Sequence, residues 1–251
     1  MRTLFVTVTS LFMTFVLGTT LVIARLFRLP QGPTSIYARC VRLWAASVDW
    51  SAGVQVRLHG AERLVNARGA VVMSNHVSWF DIFPLAANVP WCSFVAKSEL
   101  RKIPMFGIAA EAAGIVFIDR DNRKSAFASY EVAAKEVQRG RTIVVCPEGT
   151  RGLDYHLRPF KKGPFVLAIA SQSPVIPTIV HGAREVMPKG SFRIRRGVID
   201  VHFLEPVPTA GYDYDHRTEL MTRVWTAMAD ALREHYGEMT SEHPVAPARG
   251  E

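Results

Sequence analysis

Short uncharged runs of aliphatic and β-branched residues, each followed by a polar or charged cluster, constrain this chain more than any other feature. Ala70-Val71-Val72-Met73, Ser93-Phe94-Val95-Ala96, Gly114-Ile115-Val116-Phe117-Ile118 and Thr142-Ile143-Val144-Val145-Cys146 are too short for ordinary helices and read as buried strands. Val175-Ile176-Pro177 begins another, and Val54-Gln55-Val56-Arg57-Leu58 alternates as a half-buried strand does. Helical patterns lie between them. Phe127, Tyr130, Ala134 and Val137 recur at three- and four-residue spacing over 125–139, with Gly140 as the stop. Leu220, Val224, Met228, Ala231 and Leu232 form one stripe of a last helix, with Asp215 as its expected cap and Gly237 at its end. Residues 192–203 carry two alternating arms around Arg196-Gly197, readable as a hairpin or as a strand with a kink. Strands alternating with helices place the chain in the α/β class. With 251 residues and 49% hydrophobic content it can bury one substantial core.

The strand ending at Met73 delivers Asn75-His76-Val77-Ser78-Trp79-Phe80-Asp81, which sets an imidazole and a carboxylate five residues apart. On a continuous helix those side chains would point about 140° apart, at roughly 100° per residue. They meet only if His76 lies in the loop and Asp81 opens the following helix. Pro84 fits that arrangement, because proline is tolerated in a first turn. A histidine so placed can take a proton from a substrate hydroxyl while the carboxylate holds its ring in one tautomer. An ordinary loop histidine beside a capping aspartate satisfies the same spacing. Ser78 has no Gly-x-Ser-x-Gly elbow around it and reads as a cap or turn residue rather than a nucleophile.

The formal charge of +8 favours an anionic partner. The basic residues are dispersed, without RNP-type aromatic runs, zinc-finger spacing or a recognition-helix signature. That weighs against nucleic acid and favours an anionic membrane surface. Cys40, Cys92 and Cys146 are widely spaced in apolar contexts and are expected as buried, reduced thiols. His156, His181 and His202 fall in unrelated segments, so no metal-ligand set is legible. Residues 4–24 carry no charge, about the ~20 residues a spanning helix needs. A transmembrane anchor, an interfacial helix and a cleaved signal ending at Val22-Ile23-Ala24 all fit that composition. Arg2 alone precedes the stretch, while Arg25, Arg28, Arg39 and Arg42 follow it. The asymmetry favours an uncleaved anchor with the following domain in the cytoplasm. Residues 35–46 read as a basic helix with Tyr37, Val41 and Trp44 on one face, suited equally to a bilayer surface or to the core. The expected organisation is an anchor over 1–28, one catalytic domain over 29–237 and a flexible tail over 238–251.

Three further runs follow the first in order: Gly114-Ile115-Val116-Phe117-Ile118-Asp119-Arg120, Pro147-Glu148-Gly149-Thr150-Arg151 and Val175-Ile176-Pro177. Over residues 55–207 the four together resemble the 1-acylglycerol-3-phosphate acyltransferases, also called lysophosphatidic acid acyltransferases. The His-x4-Asp pair alone belongs to the wider glycerolipid acyltransferase superfamily. The Glu-Gly-Thr-Arg run, followed by Phe160-Lys161-Lys162-Gly163, narrows the resemblance to the glycerophosphate branch. The resemblance implies a mixed, largely parallel sheet flanked by helices, its motifs gathered at one edge, with an N-terminal membrane-associated helix. It implies acyl transfer from acyl-coenzyme A or acyl-carrier protein to the sn-2 hydroxyl of lysophosphatidic acid, giving phosphatidic acid at the cytoplasmic face of the cell membrane. His76 would be the base and Asp81 its orienting partner. The acceptor hydroxyl attacks directly, so no enzyme nucleophile, resident cofactor or metal is expected. Arg120 and Arg151 are the expected phosphate clamp, and Asn75, Lys97, Glu148, Gly149 and Thr150 complete the expected substrate site. Lys97 stands equally as an oxyanion donor and as a strand-end lysine, and Glu148 is expected to fix an arginine or the loop. The alternatives are another lysolipid acceptor and a non-catalytic protein that binds anionic lipid.

Overall fold

In the computed structural model, which describes residues 1–65, 69–119, 122–238 and 240, seven strands form a single sheet. They are β1 (Val54–His59), β2 (Val71–Ser74), β3 (Cys92–Lys97), β4 (Val116–Ile118), β5 (Thr142–Val145), β6 (Val175–His181) and β7 (Gly197–Phe203), in the order β1-β7-β6-β2-β5-β3-β4. Every pairing is parallel except β6 with β7, so the sheet is mixed and mostly parallel. The central strands β2 and β5 are buried at every residue. That is why they read as continuous apolar runs rather than alternating ones: helices cover both faces.

The helices are α1 (Arg2–Leu26), α2 (Ile36–Ala52), α3 (Glu62–Val65), α4 (Ile82–Asn88), α5 (Phe106–Ala112), α6 (Arg123–Gln138), α7 (Gly163–Ser171), α8 (Ala183–Val186) and α9 (Arg217–Tyr236). Strand period two divides the core into two layers. Val71, Met73, Ile143 and Val145 pack with α6, α7 and α9, while Val72, Val144, Ile176 and Val180 face α2 and α4. The stripe of α9 is buried as its spacing predicts. Its N-cap is His216 rather than Asp215, with no side-chain cap, and in the preceding turn Asp213 accepts from the main-chain N–H groups of Asp215 and His216 at 2.9 and 3.0 Å. Residues 192–196 form no strand, and Phe192 is exposed, so only the second of the two expected arms exists, as β7. Its place beside antiparallel β6 and parallel β1 comes from long-range pairing that a local alternation cannot reveal. Of the three cysteines, Cys40 and Cys92 are buried and Cys146 is half-buried. Burial pushes the Cys92 thiol up to about 12, which keeps it protonated.

The basic helix expected over 35–46 runs on to Ala52, because Ser35 caps its start and Gly53 in the left-handed conformation stops it. It packs on α4 and on α1, with Arg39 and Arg42 left exposed. Helix α1 is long and apolar enough to cross a membrane by length and composition. It is bound to the domain along its length. Arg2 Nη1 donates to Ala52 O at 2.7 Å, and Trp44 Nε1 donates to Thr14 Oγ1 at 2.9 Å. Leu21 and Ala24 are buried against Tyr37, Ala112 and Ala113. The opposite face presents Leu4, Val8, Leu11, Phe12 and Phe15, all exposed.

Arg141, at the start of β5, joins elements that sequence proximity does not. It is 2% exposed, donates to Ala113 O at 2.8 Å and to Gln31 of the segment between α1 and α2, and stacks over Trp91 at 5.2 Å. Glu136 Oε2 lies 3.2 Å from its Nε. Removing one partner of a buried charged set leaves the others desolvated without a counterpart, at a cost of about 3 kcal/mol. Arg141→Ala should therefore lower the unfolding free energy by that amount, read as a fall in the denaturant midpoint at unchanged m-value, and exposed Arg139→Ala should stay within about 0.5 kcal/mol of the parent.

Candidate active site

The geometry begins with the turn after β2. Ser78 opens a 3-10 turn over Trp79–Asp81, accepting from Phe80 N–H at 3.0 Å and donating to Met187 O at 2.6 Å. Ser78 is thus a cap. Asp81 ends that turn at the N-terminus of α4, and Pro84 sits in the first turn of α4. Asp81 is fully buried, and its Oδ2 accepts from the main-chain N–H groups of Val77 and Ser78 at 2.7 and 2.8 Å. The same oxygen lies 2.7 Å from His76 Nδ1. Because that oxygen serves as an acceptor throughout, Nδ1 carries the hydrogen. In the neutral ring that tautomer leaves Nε2 with its lone pair, the form a general base requires.

The main chain of His76 is clamped from the Glu-Gly-Thr-Arg run. Glu148 Oε1 accepts from His76 N–H at 2.9 Å, and His76 O accepts from Gly152 N–H at 2.7 Å. Glu148 Oε2 accepts from Arg158 N–H and Nε, both at 3.2 Å, and Arg158 Nη2 donates to Thr150 O. Glu148 therefore fixes both an arginine and a loop. Burial raises its carboxyl above the usual range, while the His76 N–H and Arg158 pull it back. Gly149 adopts φ +75°, a conformation that favours glycine, and a Cβ there would come within 3.2 Å of Lys161 Cγ.

His76 opens on a cavity of about 370 Å³ whose walls are mainly apolar, with Leu17, Gly18 and Leu21 of α1 among them. Lys97, Thr150 and Arg151 share that wall. The Arg151 guanidinium lies over the Trp79 ring at 4.9 Å, a cation–π contact that aims its planar fork. Lys97 Nζ is 2.5 Å from Glu99 Oε1. Asn75 does not line the cavity. Its amide is used on β6, donating to Val180 O at 3.0 Å and accepting from Val180 N–H at 2.8 Å, so it braces the loop rather than reaching a ligand. Glu148 likewise stands behind the wall. Arg120 lies outside the described residues.

The Acyltransferase family model matches residues 55–181. The 1-acyl-sn-glycerol-3-phosphate acyltransferase alpha of Homo sapiens is 32% identical over 198 residues, 78% of this chain and 70% of the human protein. This chain belongs to that acyltransferase family. The 1-acyl-sn-glycerol-3-phosphate acyltransferase of Saccharomyces cerevisiae is 31% identical over 186 residues, 72% of this chain and 61% of the yeast protein. The crystal structure of the 1-acyl-sn-glycerophosphate (LPA) acyltransferase PlsC from Thermotoga maritima matches with a TM-score of 0.72 at 24% identity, covering 95% of this chain and all of that one. That likeness shows a shared fold. As an O-acyltransferase the chain needs a base for an alcohol, and the turn after β2 offers one.

Two features of the site were not visible in the sequence. Arg158 is the cation that Glu148 holds; a buried acidic residue in the Glu-Gly-Thr-Arg run implies such a partner without saying which arginine. The α1 wall was hidden behind its reading as an anchor. His181 and His202, assigned above to unrelated segments, converge with His59, His235 and Tyr236 across β1, β7, β6 and the end of α9. Burial, with His59 and His235 adding to it, pushes the His202 imidazole down to about 4.

With Nε2 as the acceptor of the alcohol proton, His76→Ala should lower kcat at least ~10²-fold while leaving the thermal midpoint close to the parent value. Asp81→Asn should also lower kcat by about 10²-fold or more, because a neutral amide cannot stabilise the imidazolium as a carboxylate does. Steady-state turnover with matched circular dichroism melts checks both. Turnover by His76→Ala within tenfold of the parent would remove the base.

Proposed function

We propose that this chain moves a fatty acyl group from a thioester to the sn-2 hydroxyl of 1-acyl-sn-glycerol-3-phosphate at a membrane surface, giving phosphatidic acid. The observation that carries the reading is the meeting of His76 and Arg151 on one apolar cavity. The acceptor hydroxyl gives its proton to His76 Nε2 as its oxygen attacks the thioester carbonyl. The tetrahedral oxyanion then collapses, the C–S bond breaks, and the departing thiolate takes the proton back from the imidazolium. Asp81 steadies the imidazolium in between. Lys97, on the same wall, is the side chain suited to the oxyanion. Arg151 takes the acceptor phosphate, with Arg120 as its expected second half. Acyl-coenzyme A or acyl-carrier protein supplies the thioester and is consumed at each turnover. The apolar part of the cavity suits the acyl chains.

The membrane reading rests on α1. One face packs on α2 and α5 and the other presents exposed Phe12 and Phe15. A helix bound lengthwise to the domain fits immersion in one leaflet better than an isolated span, with Arg25, Arg28, Arg39 and Arg42 toward anionic headgroups on the cytoplasmic side. The membrane element expected over 1–28 is then also a wall of the catalytic domain. Deleting residues 1–24 should abolish turnover even with substrates dispersed in detergent, because the deletion opens the cavity. Normal activity from a chain starting at Arg25 would restore the cleaved-signal reading.

Substrate choice is tested at Arg151. Arg151→Lys should raise the apparent KM for the phosphorylated acceptor, and Arg151→Ala further. A lost charge-assisted bond is worth about 1.5–3 kcal/mol, roughly ten- to a hundred-fold. Saturation by the thioester should change much less. Thioester release measured over a panel of lysolipids decides the matter. Equal use of a phosphate-free acceptor, with both variants affecting all acceptors alike, would transfer the assignment to another lysolipid.

A further inference from the structure

We propose that the β1 edge of the sheet carries a binding site for a divalent transition-metal ion of the zinc type, with His59, Asp200 and His202 as ligands. Among the described residues these three are the one His/Cys/Asp/Glu group whose ligand atoms all lie within 4.8 Å of one another. The placement follows from strand geometry. His59 and His202 are register partners on parallel β1 and β7, and partners in a parallel pair project to the same face. Asp200 precedes His202 by two residues and shares that face, while Ile199, Val201 and Phe203 fill the core on the other. Three ligand side chains therefore stand on two hydrogen-bonded strands, the kind of rigid platform a metal site requires.

His59 Nε2 and Asp200 Oδ1 are 3.0 Å apart, and the rings of His59 and His202 stack at 4.2 Å, 11° from parallel. Ligands at about 2.0–2.2 Å from a tetrahedral ion sit roughly 3.4 Å from one another, so side-chain rotation alone closes the set. An ordinary ion pair accounts for His59 with Asp200 but not for the second imidazole laid against the first. A ring of His235 stacks on His202 from the last turn of α9 at 4.7 Å, though it lies outside the group of three. The Tyr236 hydroxyl, 2.7 Å from His202 Nε2, fixes the orientation of that ring, as partners outside the coordination sphere do in metal sites. His59 is half-exposed, which gives an ion a path from solvent. Two imidazoles and one carboxylate match zinc, cobalt, nickel or copper rather than magnesium or calcium. The strand order separates this group from the catalytic turn, since β6 lies between β7 and β2. Bound metal would tie the outermost strand, β1, to β7.

The test is calorimetric titration of Zn²⁺ into the tag-free, full-length protein in detergent, with Co²⁺ absorption as a second readout. One equivalent should bind with a dissociation constant in the micromolar range or tighter, and Zn²⁺ should raise the thermal midpoint. His59→Ala and Asp200→Asn should each weaken binding at least tenfold and remove the Co²⁺ visible bands. His59 lies on an exposed edge strand, so its variant should fold even if Asp200→Asn does not. His216→Ala is the control, because His216 forms a comparable surface pair with Asp213 at 2.8 Å that lies outside the group of three. Absence of saturable binding up to millimolar Zn²⁺, or affinity unchanged in His59→Ala, would overturn the proposal.

Discussion

One carboxylate oxygen, Oδ2 of Asp81, gathers the turn after β2 around itself by accepting from two main-chain N–H groups and from the His76 ring. The two amides belong to Val77 and Ser78, so the oxygen that orients the imidazole also dictates the path of the chain carrying it. Orientation and loop shape cannot vary independently. Three donors replace the water that Oδ2 has lost, while Oδ1 is buried without a hydrogen-bond partner among the described residues. The same donors restrict Oδ2 to the acceptor role that sets the tautomer.

The rest of the site is built outward from that turn. Glu148 reaches across from the loop after β5 to hold the His76 N–H, and Arg158 holds Glu148 in turn. β2 and β5 are adjacent parallel strands, so their C-terminal loops emerge side by side. Trp79, within the same short turn as His76 and Asp81, carries the Arg151 guanidinium on its ring. The proposed proton acceptor and the proposed phosphate anchor are thus spaced by one seven-residue run and its two contacts, not by the motions of separate loops.

The sheet strands and the two long amphipathic helices were legible because their signals are local: apolar run length, spacing, and the glycines at helix ends. The His76–Asp81 contact was legible too, since a five-residue separation permits only a loop-to-helix geometry. What escaped depends on contacts between distant segments. Arg141 reads as one more basic residue until its contacts with Gln31, Ala113 and Trp91 are seen. Asn75 looks like a site residue by position, yet β6, more than a hundred residues away, takes both ends of its amide. The histidines of β1, β7 and α9 become neighbours only through the register of an edge pair.

The inner face of α1 bears on how a lipid acceptor is handled. Moving an acyl chain from a bilayer into water costs ~0.8 kcal/mol per methylene, about 12 kcal/mol for a sixteen-carbon tail. An enzyme that lifted its substrate clear of the membrane would meet that barrier before any chemistry began. Here the residues facing the cavity, Leu17 and Leu21, sit on the same helix whose other side presents Phe12 and Phe15. In the proposed arrangement, with that outer side among lipid tails, the acceptor would pass from one hydrocarbon environment to another within the thickness of a single helix. Encounter then becomes lateral diffusion in two dimensions, and the rate reflects the acceptor's surface density rather than its vanishing concentration in solution.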